Sequence, residues 1–122
     1  MKRLLIALLL IIAVLPSSAR ASDWSKGDTF RELAFAALIV VDWGQTLNIA
    51  DHPERFREYN PILDSHPSQT RVNLYMPAAI LLHAVVSYLL PRTCREGWQY
   101  VTIGLEAGVI TSNFNAGIGI RF

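Results

Sequence analysis

The chain has 122 residues, of which 52% are hydrophobic and 17% charged, with eleven basic and ten acidic side chains. A near-balanced charge with no basic block excludes the electrostatic footprint of a nucleic-acid binder, so no nucleic-acid partner is expected. Cys94 is the single cysteine, which excludes the intrachain disulfides that small exported domains use to fold in water.

The amino terminus reads as a secretory signal. Met1-Lys2-Arg3 is a basic start, "LLIALLLIIAVLP" an apolar core, and Ala19-Arg20-Ala21 the small-x-small pattern that signal peptidase recognises. Cleavage after Ala21 makes residues 1–21 a signal peptide and 22–122 a single membrane domain; an uncleaved N-terminal anchor is the alternative. Loss of Lys2, Arg3 and Arg20 leaves eight basic against ten acidic residues, a net charge of −2.

Leu33 to Ala50 is the first apolar block after the signal, 18 residues long. At about 1.5 Å per residue it nearly matches a hydrocarbon core of about 30 Å. A helix is expected over about 30–50, with Asp28 or Thr29 as its cap. The polar stretch "DHPERFREYNPILDSHPSQTR" follows. Its Pro53, Pro61 and Pro67, in two His-Pro pairs and one Asn-Pro pair, predict turns rather than helix. The second block, "NLYMPAAILLHAVVSYLL", predicts a helix over about 73–90 stopped by Pro91. Pro77 then falls near the first turn, where a missing N–H costs little.

The short connection "PRTCREG" makes the second and third blocks antiparallel neighbours. "WQYVTIGLEAGVIT" predicts the third helix, about 97–112, ended by Asn113, Asn115 and Gly117. The terminal "GVITSNFNAGIGIRF" also reads as a hairpin with Ile118, Ile120 and Phe122 alternating, as outer-membrane barrels end. Two strands cannot close a barrel, which needs about eight.

The expected fold is therefore all-α: a signal peptide, then a three-helix transmembrane bundle with a Pro-rich loop between its first two helices. A soluble three-helix domain needs a polar face on each helix, and Ala34 to Val41 and Ala78 to Val86 offer only His83. Trp24, Phe30, Tyr75, Tyr88, Trp98 and Tyr100 lie near block ends, where amphipathic rings favour the membrane interface. The expected partner is the lipid bilayer of the bacterial inner membrane, with a second copy or another membrane protein as a further contact. Arg55, Arg57 and Arg71 in the long loop and Arg92 and Arg95 in the short one hardly discriminate orientation. An exported N-terminus rests on the signal alone.

Each block carries one ionisable residue near its middle: Asp42, His83 and Glu106. Gln45 and Thr46 share the face of Asp42, Thr102 and Asn113 that of Glu106, and Ser87 that of His83. A charge facing lipid costs at least about 2.5 kcal/mol, so these faces are expected to turn inward and meet. Gly44, Gly104, Ala107 and Gly108 are small enough to let helices approach beside them. Such a cluster reads as a hydrogen-bond network that fixes helix register, as a proton or ion site, or as a metal site of Asp42, His83 and Glu106. The last set suits a divalent cation in ligand type but follows no spaced motif.

Glu58, Asn60, Pro61 and His66, with His52 and Asp64, form a second candidate in the loop. Turn formation is their plainer reading. Cys94 is read as an exposed thiol in the short loop, free to cross-link two copies. Gly-x-Ser-x-Gly, P-loop and dinucleotide patterns are absent, so no cofactor is expected and a non-enzymatic role is favoured.

"DWGQTLNIADHPERFREYNPILDSHPS", followed by "VNLY", His83, "REGWQYVTIGLEAG" and "GIGIRF", resembles a group of short membrane proteins of bacteria and their phages. The wider "D…T…E-x-N-P" arrangement is similar to a broader family of bacterial membrane proteins. The resemblance covers nearly all of the mature chain and implies one membrane domain; it brings no activity with it. The expected role is a small integral inner-membrane protein acting through helix contacts or an intramembrane polar site. A holin-like, lysis-associated phage protein and a metal-dependent intramembrane enzyme are the alternatives.

Overall fold

The computed structural model describes residues 23–122. The expected signal peptide lies outside the described residues. Those described form three helices and no strand: α1 (Lys26–Asp51), α2 (Gln69–Leu89) and α3 (Arg92–Asn115). The terminal segment is a helix and a short tail, as expected, and not a hairpin.

Helix α1 begins upstream of the expected position because its cap is Ser25. The Ser25 hydroxyl accepts the Asp28 N–H at 3.1 Å, and the Asp28 carboxylate accepts the Ser25 N–H at 2.8 Å. This reciprocal pair is a capping box, with Asp28 as its third-position acid rather than the cap. The helix spans 26 residues, about 39 Å at the α-helical rise.

Helix α2 also starts early, because Ser68 accepts the Arg71 N–H at 3.2 Å. Pro77 consequently lies inside the helix and not in its first turn. It removes the donor owed to the Asn73 carbonyl. Only Leu90 and Pro91 separate α2 from α3, and Pro91 caps α3. "PRTCREG" is thus the start of a helix and not a loop, since proline leaves no orphan N–H at a helix start. Cys94 sits exposed on that first turn.

Helix α3 ends at Asn115 in a Schellman motif. Gly117 has φ +82°, the Ile118 N–H donates to the Asn113 carbonyl at 2.9 Å, and the Gly117 N–H donates to Phe114 at 3.0 Å. Residues 118–122 then turn back along α1, where the Arg121 N–H donates to the Gly44 carbonyl at 3.0 Å.

Helix α1 is the centre of the bundle. It packs on both α2 and α3, which meet each other least despite their short connection. The α1–α2 contact holds the main apolar core, Phe35, Ile39, Val72 and Met76, closed from the loop by Leu63. Trp43 belongs to this side and donates its indole N–H to Asn73 at 2.8 Å. Of the small residues expected at helix contacts, Gly44 meets the tail. A Cβ on Gly104 or Gly108 would meet nothing within 4 Å, so these two glycines face outward and not into the bundle. Helices α1 and α2 are each long and apolar enough to cross a membrane.

Candidate functional site

Two polar clusters lie inside the bundle, at different depths. The first joins the start of α1, the end of α2 and the start of α3. Arg95 is its hub, fully buried. Its guanidinium reaches Asp28 at 3.3 Å and Asp23 at 3.1 Å. It also donates to the Ser87 and Leu90 carbonyls at 2.8 and 2.9 Å, and it lies over the Trp24 ring at 5.0 Å. Five donors in a fixed fork satisfy two carboxylates and two helix-end carbonyls at once.

From there the network runs inward. Arg31 pairs with Asp28 at 2.6 Å and donates to Gln99 at 2.7 Å. Gln99 donates to Glu32 at 2.8 Å. The other Glu32 oxygen lies 2.9 Å from His83 Nδ1, while His83 Nε2 lies 2.8 Å from the Thr102 hydroxyl. The imidazole is stacked between Phe35 and Trp98, with ring centroids at 3.7 and 5.1 Å. In this cluster Asp23 and Asp28 are matched by Arg31 and Arg95, which suits a fastening rather than a reactive centre.

The second cluster lies about ten residues further along α1, or about 15 Å. Asp42, Glu106, Asn113, Ser112 and Val109 line a cavity of about 470 Å³ together with Glu58, Tyr59 and Asn60 from the loop. Asn113 bridges Asp42 at 3.3 Å and Gln45 at 3.1 Å. Gln45, fully buried, donates on to the Ile110 and Ile118 carbonyls at 3.3 and 3.5 Å. Thr46 lies 3.5 Å from Glu58. One carboxyl oxygen of Glu106 is buried with no hydrogen-bond partner.

The loop motif has a structural task beside this cavity. One Glu58 oxygen accepts the backbone N–H groups of Tyr59 and Asn60 at 3.0 and 2.7 Å. Asn60 Oδ1 accepts the Ile62 N–H at 3.0 Å, an Asx-turn, and its amide donates to Tyr75 at 3.0 Å. Pro61, which lacks a donor, sits where the turn needs none. Glu58 and Asn60 thus fold the loop and hold its polar edge over the cavity. His66 does not line it, and Asp64 pairs with Arg71 instead.

Of the residues expected to converge, Asp42, Gln45, Thr46, Glu106 and Asn113 meet, and His83 does not join them. The antiparallel register of α1 on α2 explains the difference: Trp43 lies against Asn73, and Glu32 against His83. Counted from Lys26, Asp42 is sixteen residues along the helix, about 24 Å, whereas the partner of His83 is Glu32, only six residues in. Thr102, expected to serve Glu106, binds His83. Among the described residues no three His, Cys, Asp or Glu side chains are grouped to hold a metal ion. The set Asp42, His83 and Glu106 is therefore not assembled as a metal site.

Sequence reasoning missed Asp28, Arg31, Glu32, Arg95 and Gln99. Their signal was present: Arg95, Gln99, Thr102 and Glu106 recur at helical spacing and form one polar stripe on α3. No family model, curated protein or solved structure matches the chain.

Proposed function

We propose that this chain is a small integral inner-membrane protein that crosses the bilayer three times and works through the carboxyl-lined cavity beside Asp42. The observation that carries the membrane reading is its inverted polarity. Gln45, Thr46, His83, Ser87, Arg95 and Gln99 are buried, while Leu33, Leu74, Leu81, Val101 and Leu105 lie on the outside. Water favours the opposite arrangement, and lipid favours this one. It also supports a third span through α3, whose polar stripe turns inward and whose outer face carries Val101, Leu105 and Val109. An exported N-terminus then places the loop and the C-terminus on the cytoplasmic side.

Charge balance supports the working site. Among the described residues Asp42, Glu58 and Glu106 form no salt bridge, in contrast to the acids matched by Arg31 and Arg95. Unmatched carboxyls in a low-dielectric interior are neutralised by protons or by a bound cation. Among the described residues no three His, Cys, Asp or Glu side chains group there to ligate a bare divalent metal. The cavity, about 470 Å³, suits a hydrated monovalent cation or an organic ammonium group, entering past the exposed Tyr59.

The test is thermal unfolding of the purified full chain in detergent, with sodium, potassium and a series of alkylammonium ions. A ligand that binds only the folded form raises the midpoint. One of these cations is expected to do so, with the shift lost in Asp42→Asn and Glu106→Gln and kept in His83→Ala. A midpoint indifferent to every cation, or a shift that survives both carboxyl substitutions, contradicts the reading.

A further inference from the structure

None of residues 118–122 lines the carboxyl cavity, but the segment they form outside the helices is linked to its wall through Gln45 and Asn113. After Gly117 the last residues run back along α1 and are fixed there by their own main chain. The Arg121 N–H donates to the Gly44 carbonyl at 3.0 Å. Asn48 donates to the Gly119 carbonyl at 3.0 Å, and Gln45 to that of Ile118 at 3.5 Å. Side chains add to the hold. Ile118 is buried, Phe122 meets Trp43 edge-on at 6.4 Å, and Arg121 lies 3.5 Å from Asp51.

Gly44 is the notch that admits this segment. A Cβ at that position would stand 2.5 Å from Ile120 Cγ2 and 3.0 Å from the Phe122 ring. A separation of 2.5 Å is inside any tolerated carbon contact, so even one methyl group there must shift the Ile120 side chain and disturb the seating of the tail. The requirement for glycine at position 44 comes from the tail and not from a neighbouring helix.

The tail is also wired to the cavity. Gln45 holds Ile118 with its amide N–H group and, through its carbonyl oxygen, accepts from Asn113, which in turn donates to Asp42. Tail, Gln45, Asn113 and Asp42 thus form one hydrogen-bonded sequence, in which Asn113 lines the cavity. Release of the tail leaves the Gln45 amide with Ile110 as its remaining acceptor and so loosens the group that holds Asn113.

We propose that residues 118–122 are a strap, keyed into α1 at Gly44, whose seating steadies the carboxyl cavity through Gln45 and Asn113 and whose release loosens it. The proposal rests on the reading of that cavity as the working site. Its test reads the chemistry of the cavity and not its function.

The probe is N,N′-dicyclohexylcarbodiimide, which adds to a protonated carboxyl and rearranges to a stable N-acylurea. The rate of modification at Asp42 and Glu106 is followed by mass spectrometry on full-length protein in native membranes. Gly44→Ala is expected to raise that rate about ten-fold, because overpacking shifts a local closed–open equilibrium by roughly that factor. Ending the chain after Ile118, which keeps the cap of α3 and deletes residues 119–122, is expected to do the same without touching α1. Adding Ile120→Ala to Gly44→Ala removes the clashing carbon and is expected to bring the rate back toward that of the unaltered chain.

An unchanged rate in the shortened chain overturns the proposal. So does a rise in Gly44→Ala that Ile120→Ala fails to reverse. If the cavity binds no cation, the thermal experiment fails while this pattern of rates still stands, so the two readings fail separately.

Discussion

At the residue scale the most constrained side chain is Arg95. It is fully buried and ties the segment before α1, the first turn of α1 and the end of α2 to α3. Removing one partner of a buried ionic network leaves the other charge unpaired, which costs about 3–5 kcal/mol. Arg95→Ala is therefore expected to lose about that much in denaturant-titrated unfolding of the purified chain. Arg92→Ala, exposed on the same turn, is expected to change stability by less than about 0.5 kcal/mol. Equal effects of the two would contradict the role given to Arg95. The contrast with the Asp42 cavity is chemical: one cluster contains its own counter-charges and the other does not.

At the element scale the sequence was legible where one residue type decides the outcome. Gly117 ends α3 because only a residue at ease with φ +82° closes the Schellman motif. Gly117→Ala is accordingly expected to cost about 1 kcal/mol in the same unfolding measurement, from the left-handed conformation forced on an L-residue. The starts of α1 and α2 were less legible. Hydropathy marks where a helix becomes apolar, whereas Ser25 and Ser68 fix where it begins. The register of α1 on α2, which no local signal gives, left His83 facing Glu32 and not Asp42. The carboxyl group at Glu106 and the seam of Gln45, Thr46 and Asn113 followed from helical spacing. The contributions of Glu58 and Asn60 followed from no periodicity, since a folded loop carried them to the cavity. The docking of the tail on Gly44 had no local signal beyond a glycine expected to admit a neighbouring helix.

At the scale of the whole molecule, three helices enclose their polar groups and present an apolar exterior. Helices α1 and α2 have the length and composition to cross a bilayer; α3 is the element on which the three-span account depends. Its outer face is apolar at Val101, Leu105 and Val109, and Leu105 is 67% exposed. The central claim is thus most directly tested by one measurement on α3. A nitroxide placed at Leu105→Cys, in a chain carrying Cys94→Ser and reconstituted in liposomes, reports its surroundings through collision with molecular oxygen or with a water-soluble nickel complex. The account predicts strong relaxation by oxygen and almost none by nickel, as for a side chain among acyl chains. Strong relaxation by nickel would place this face in water and contradict the three-span bundle.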